Sequence, residues 1–396
     1  MRIKHAYLFS LTAFFGLLLC NCVEPFTAET LTFENVLVVD ALLTDEDKQH
    51  RVLLIRAFCF EEENPNAERN ADVRIIDIDG REYDFKETEP GVYLSEISFQ
   101  ATQGSSYRLE IKTSDGKWYV SESVVTPMNI AIKNLTAERQ INDIGEEGVA
   151  ILVDNSSKAS EASEASYFRY EYEETYKIIT PKYDPFEFEV IENIACDGNF
   201  YEVGIKPRAE EQRICFGSAV SKRLIQASTT DLENSTIEDL LIQFIGRDNY
   251  IMSYRYSILV KQFSQTQDAH SFYDQLGNFS SSDNIFLQIQ LGFLIGNFQT
   301  KSDQEEKVLG YFEVATVDEE RVYYNYSDVF PNEELPPYAI NCETLGNSEL
   351  ITRGYHCDGM GNCDGSCESP LIEGISAGLL VFVAPNENPT RDMPGP

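Results

Sequence analysis

Histidine, positive charge and long apolar runs are what this chain has least of. Only four histidines occur in 396 residues. Three of them, His50, His270 and His356, fall beyond the N-terminal leader, and none has the spacing that puts two imidazoles on one helix face for zinc. His270 lies beside the apolar stripe of a helical segment and reads as a half-buried surface residue. Lys and Arg number 31 against 66 Asp and Glu. The acids are spread along the chain and do not gather in one tail, so they read as a solvated surface, with divalent-cation bridging as the lesser alternative. A field of that sign repels nucleic acid and anionic lipid headgroups, which sets both aside as partners. After residue 22 no apolar run reaches the roughly 20 residues that a membrane-crossing helix needs. The mature chain is therefore expected to be anchored to a membrane and not to span it.

The anchor is legible at the start. Arg2 and Lys4 form a positive n-region, and Ala6 to Leu19 is an apolar stretch with a single glycine, the length of a signal-peptide h-region. The A-x-A pattern of ordinary cleavage is missing. Leu19-Cys20-Asn21-Cys22 stands in its place, with leucine at −3 relative to Cys22. That arrangement suits lipoprotein processing, in which the cysteine thiol is acylated and becomes the new N-terminus. Several acyl chains hold stably where one alone holds marginally. Cys20 competes as acceptor, but the bulky Leu19 before it makes Cys22 the preferred site. Glu24 is a faint version of an acidic surface-export tag. Removing Arg2 and Lys4 leaves 29 basic against 66 acidic residues, a balance of −37.

Seven cysteines follow the anchor, a usage that suits an oxidising compartment. Cys59 sits in the strand-like run Val52 to Phe60 and reads as a buried thiol. Cys196 and Cys215 flank a polar, Gly-containing segment and suggest one disulfide. Cys342, Cys357, Cys363 and Cys367 would make two more, with three connectivities open.

Taken in order, the chain reads as an all-β protein: a signal peptide over 1–21, a tether over 22–35, an Ig-like or transthyretin-like β-sandwich over 36–128, and a larger β-rich domain with one or two short helices over 129–392. In the first domain Val36 to Val39, Val52 to Ile55, Val73 to Ile78, Gly91 to Leu94, Tyr107 to Ile111 and Trp118 to Val120 have strand length and alternation. Asp79-Gly80 and Asp115-Gly116 supply hairpin turns. In the second, Gly148 to Val153, Tyr167 to Tyr172, Tyr254 to Val260, Gly310 to Val314, Arg321 to Tyr324 and Gly378 to Val383 read as strands, and Ser156 to Ser166 as an exposed loop. The aromatic row from Tyr167 to Tyr172 suits sheet packing, with glycan stacking as the alternative. One helix is expected after Ser264, with Ala269, Phe272, Tyr273 and Leu276 on its apolar face and Gly277 as its stop.

No catalytic constellation emerges. Gly374-Ile375-Ser376-Ala377-Gly378 has the spacing of a nucleophile elbow, but a strand follows where a helix is needed, and no histidine comes after Ser376. Paired carboxylates are abundant at this composition and carry no glycosidase signal. His356 to Cys367 is the most unusual stretch. It reads first as disulfide staples on a Gly-rich loop within 342–367. A calcium loop on Asp358, Asn362 and Asp364 lacks the alternating ligand order, and zinc on His356 with the thiolates lacks C-x-x-C spacing. The expectation is a non-enzymatic chain without cofactor or metal, calcium being the one alternative.

An ordered series of short motifs resembles one family. It runs through Cys22-Val23-Glu24-Pro25, Val36 to Thr44, Gly91-Val92-Tyr93, Gly104 with Tyr107-Arg108-Leu109, and Gly116 with Tyr119 and Ser121. It continues through Arg255 to Gln262, Gly296-Asn297-Phe298, Val308 to Phe312 and the late cysteines. The chain is similar in this order to the DUF4249 family of Bacteroidota lipoproteins. The resemblance implies an outer-membrane lipoprotein on the cell exterior. Its partners would be a β-barrel, either a TonB-dependent receptor of the SusC-like kind or a larger assembly, and other outer-membrane lipoproteins. A stand-alone glycan- or peptide-binding lipoprotein is the alternative. The tail after the cysteines lacks the aromatic-Trp ending expected of the family.

Overall fold

The computed structural model describes residues 36–57, 66–155, 165–180, 183, 185–192, 202–211, 213–230, 232, 236–281, 294, 296–301 and 307–338. The fold is all-β. The first nine strands are β1 (Leu37–Thr44), β2 (Arg51–Arg56), β3 (Asn66–Ala67), β4 (Asp72–Asp77), β5 (Glu82–Glu89), β6 (Val92–Ser95), β7 (Ser106–Lys112), β8 (Trp118–Ser121) and β9 (Val124–Val125). Alternation decides their facing, as period-two side chains require. Leu37, Val39, Ala41 and Leu43 of β1 and Tyr107, Leu109 and Ile111 of β7 point inward and share one core.

Three hairpins, the third of them beyond these nine strands, have one design. Residues 77–81, 113–117 and 142–146 each form a loop whose glycine N–H donates to the carbonyl of the loop's first residue. The first residue's N–H donates in turn to the carbonyl of the last. Gly80, Gly116 and Gly145 take φ of +82°, +88° and +83°, the left-handed position of a glycine bulge.

The later elements are β10 (Ile132–Ile141), β11 (Glu147–Asn155), β12 (Tyr167–Ile179), β13 (Phe186–Glu192), β14 (Glu202–Pro207), β15 (Ile214–Val220), β16 (Ile225–Ser228), β17 (Leu240–Gly246), β18 (Arg255–Gln265), helix α1 (Gln267–Ser281), β19 (Phe298–Thr300), β20 (Val308–Asn325) and helix α2 (Tyr326–Val329). One large sheet runs β15-β12-β18-β20-β1-β2-β6-β5-β4-β7-β8-β19, with β10-β11-β17 and β13-β14 as separate sheets. The segments Gly310 to Val314 and Arg321 to Tyr324, expected as two strands, are one strand of 18 residues. Its first half, Val308 to Ala315, pairs parallel with β1, and its second, Thr316 to Asn325, antiparallel with β18. β20 thus joins the β1–β9 core to a second core, in which β12, β18 and the end of β20 pack on β10-β11-β17. β19 returns to pair with β8.

Helix α1 forms where expected, but Gly277 does not stop it. An interior glycine costs only about 1 kcal/mol against alanine, too little to end a packed helix. A Cβ on Gly277 would lie 3.1 Å from Leu224 Cδ2, so the bare backbone admits a neighbour. Leu276 is exposed, and Ala269 and Phe272 carry the packing. No helix among the described residues is long and apolar enough to cross a membrane.

Candidate functional site

The middle of β20 gathers the unusual chemistry of the described structure. Phe312 and Val314 point into the β1–β9 core, so Tyr311 and Glu313 point to the opposite face, beneath α1. Glu313 is 0% exposed. On the neighbouring strands, Arg169 of β12 and Gln265 of β18 reach the same spot. Arg169 Nη2 donates to Glu313 Oε2 at 3.2 Å, and Gln265 Nε2 donates to Glu313 Oε1 at 2.7 Å. The other guanidinium nitrogen, Nη1, donates to the half-exposed Glu171. The guanidinium lies over the rings of Phe263, 4.3 Å from its centroid, and Tyr273 of α1, at 5.1 Å. Burial would lower the Arg169 pKa, but Glu313, Tyr273 and Glu171 outweigh it and hold it above its ordinary value. Burial and the Glu313 carboxylate push the Tyr273 hydroxyl well up, so it stays protonated. Tyr311, its ring tilted against Phe272 at 5.0 Å, has its pKa raised by burial to about 12. A buried cation and anion thus meet under one helix, with aromatic rings covering the cation.

The same strand carries a second lock. Asn297 is buried, and its amide meets the backbone of Phe312 on both sides: Nδ2 donates to the Phe312 carbonyl at 2.9 Å, and Oδ1 accepts from its N–H at 2.9 Å. A side chain here does the work of a strand partner. Gly296 beside it is needed for space, since a Cβ would lie 1.5 Å from the Gly310 carbonyl oxygen. Gly310 in turn has φ +99° and comes against Val39, whose carbonyl oxygen would lie 1.8 Å from an added Cβ.

On the other face of the large sheet, between the two sheets of the second core, Glu174 is buried beside tyrosines. Tyr256 donates to Glu174 Oε2 at 2.6 Å, and the Tyr324 ring lies tilted 5.1 Å from that of Tyr256. Burial raises the Glu174 pKa against the lowering effect of that hydrogen bond. The cluster is a buried carboxyl beside phenols, on β12 opposite Ile258 of β18.

Most of the residues singled out from sequence lie outside the described ones: Cys22, Cys59, Cys196, Cys342, Cys357, Cys363, Cys367, His356, Asp358, Asn362, Asp364 and Ser376. Of the disulfide candidates only Cys215 is placed, half-buried in β15 opposite Ile178 of β12. Burial, with Glu211 adding, pushes its thiol pKa up, away from the reactive thiolate. In the aromatic row, Phe168 and Tyr170 are buried and Tyr167 and Tyr172 half-buried, so the row packs a sheet. His270 is half-buried, its ring 5.2 Å from that of Tyr167. His50 is buried, with Nε2 2.8 Å from the Phe99 carbonyl oxygen. Among the described residues no group of three or more His, Cys, Asp or Glu side chains could hold a metal ion. Arg169, Glu313, Gln265, Asn297 and Glu174 were not singled out from sequence. The signal was there for two of them, since Arg169 and Glu313 interrupt the aromatic strand segments Tyr-Phe-Arg-Tyr and Tyr-Phe-Glu-Val.

These features define a β-rich scaffold whose buried charges brace packed elements. A family model, Domain of unknown function (DUF4249), matches residues 23–321, and the chain belongs to that family. No curated protein matches it. Among solved structures, a DUF4785 family protein from Legionella pneumophila subsp. pneumophila str. Philadelphia 1 is similar at 10% identity and a TM-score of 0.18. That match covers 57% of this chain and 51% of the other, so the chain spans about half the length of the structure it matches.

Proposed function

We propose that the protein is a lipid-anchored outer-membrane protein, exposed on the cell exterior, that serves without catalysis as the accessory subunit of an outer-membrane β-barrel. The observation that carries this reading is the leader: Arg2 and Lys4, the apolar stretch to Leu19, and Cys22 as the acylated residue. An anchor of several acyl chains fixes the mature chain to a membrane surface, where lateral encounter with a barrel replaces free diffusion. The barrel is a TonB-dependent receptor or the core of a larger assembly. Disulfides among the late cysteines belong to the same reading of an exported protein.

The test is a mild-detergent purification of the tagged protein from its native outer membrane, followed by mass spectrometry. A stoichiometric β-barrel supports the reading. Recovery alone sinks it in favour of stand-alone capture of glycan or peptide.

A further inference from the structure

We propose that the hairpin tip from Ile141 to Glu146 is a docking contact, seating Ile141 and Ile144 in an apolar pocket of a partner protein whose rim carries Lys or Arg. This rests on the reading that the chain docks on another outer-membrane protein, and it names the surface.

The argument comes from the three matching hairpins. Their loops are Asp-Ile-Asp-Gly-Arg over 77–81, Thr-Ser-Asp-Gly-Lys over 113–117 and Asn-Asp-Ile-Gly-Glu over 142–146. Each is closed by the same backbone hydrogen bonds. The residue before glycine is Asp79 in the first and Asp115 in the second, the short polar type that turns favour. In the third it is Ile144. A β-branched apolar side chain gains nothing from this turn, being stiff at χ1 and suited to strands. The turn does not bury it either, since Ile144 is 85% exposed and Ile141, three residues earlier, 69% exposed. Nor is the loop slack. Asn142 Oδ1 accepts from both the Ile144 and Glu146 N–H groups, at 3.2 and 2.9 Å, so the tip is held in shape. Ile78 is also exposed, but it stands singly beside Asp79, as scattered surface residues do.

Charge selects the occupant. Glu138, Asp143 and Glu146 are exposed around the isoleucines. The nearby cations are already engaged: Arg139 with Glu147 at 2.6 Å and Glu333 at 3.0 Å, Arg247 with the same two at 3.1 and 2.9 Å. The tip therefore presents two apolar side chains in an acidic collar. A bilayer would have to strip water from those carboxylates, and anionic headgroups would repel them. A second copy of this chain, with a charge of −35, would bring the same sign. A protein pocket with a basic rim satisfies both halves of the surface.

The experiment places a photoreactive benzophenone amino acid at position 144 of the full lipoprotein in its own cells. The control is position 114, exposed at the tip of the second hairpin. Crosslinked peptides are sequenced. The expected result is an adduct from 144 but not from 114, on one protein, at apolar residues flanked by Lys or Arg. The same adduct made from a probe at position 141 should fall at least about tenfold with Ile144→Asp or with Asp143→Lys plus Glu146→Lys. Ile144→Asp installs the residue type of the two matching turns, so the hairpin is expected to fold. Adducts to phospholipid or to a second copy, or no adduct while a barrel still co-purifies, overturn the contact and leave the docking reading in place. A protein adduct of the expected chemistry with no barrel in the preparation keeps the contact and removes the barrel.

Discussion

Replacing Glu313 by alanine should destabilise the protein by about 3–5 kcal/mol, because it leaves the Arg169 guanidinium buried with its main counter-charge gone. The structure sets this size. Glu313 is 0% exposed and accepts from both Arg169 and Gln265, whereas the remaining partner, Glu171, has a side chain 51% exposed and screened by water. Arg169→Met alone should cost a comparable amount, since it strands the carboxylate. The double variant Arg169→Met with Glu313→Leu should cost less than either single change, because apolar groups of similar volume replace a pair whose desolvation offsets much of its attraction. For Glu313→Ala the melting temperature should fall by roughly 6–15 °C. The assay is urea and thermal unfolding of the chain from residue 23, followed by far-ultraviolet circular dichroism and by fluorescence of the single tryptophan. Trp118 lies in β8, in the first core, while Arg169 lies in β12 beside the second. Because β20 belongs to both cores, the two signals should shift together. Additive single costs, or a tryptophan transition that stays in place while the dichroism transition moves, would refute the reasoning.

Three further outcomes follow from the same geometry. Asn297→Ala removes both partners of the buried Phe312 backbone and should cost about 2–4 kcal/mol, read as a urea midpoint shift, with Asn297→Asp failing to restore the Nδ2 donor. Glu174 is a carboxyl whose folded pKa lies above its ordinary value, so the folded state holds its proton longer; its contribution is present below pH 4.5 and lost as pH rises towards the folded value. Glu174→Gln should therefore gain stability relative to the natural chain between pH 4 and pH 7, and a constant difference across that range would count against burial as the cause. The buried His50 has its pKa lowered, mainly by burial, so stability present above pH 6.5 should fall as pH drops below it. His50→Gln should flatten that acid limb in a melting series from pH 7.5 to 5.

How much of this was legible depends on the range over which each feature is decided. The strands of the first core follow from local alternation, and Asp79-Gly80 and Asp115-Gly116 mark their hairpins, because turn chemistry is set within five residues. β20 was not legible as one strand. Val317 to Glu320 break the apolar pattern between its two halves, and only the pairing of Lys261 to Ser264 with Glu319 to Thr316 keeps that stretch extended. Its parallel partner, β1, lies some 270 residues earlier in the chain, and no local periodicity announces such a contact. The helix stop failed for a related reason. Gly277 has the intrinsic weakness that ends helices, yet Leu224 from a distant segment packs close against its bare backbone, 3.1 Å from where a Cβ would lie.

The buried charges show the same limit from the other side. Glu313 shares its face of the strand with Tyr311 and Ala315, and Arg169 shares its own with Tyr167 and Glu171, so each alone reads as an error in an otherwise buried strand. The pair becomes intelligible only when β12, β18 and β20 are laid side by side and α1 closes over them. Two such errors of opposite charge, in separate inward-facing strands, are the form in which a sequence can announce a buried ion pair. The motif order that placed the chain in its family works in a similar way, since Gly296-Asn297 and Gly310 to Phe312 are separate in sequence and become one lock in space. Glycines at both ends of that contact leave the backbone room to approach, and the asparagine amide supplies the hydrogen bonds a missing strand would have made.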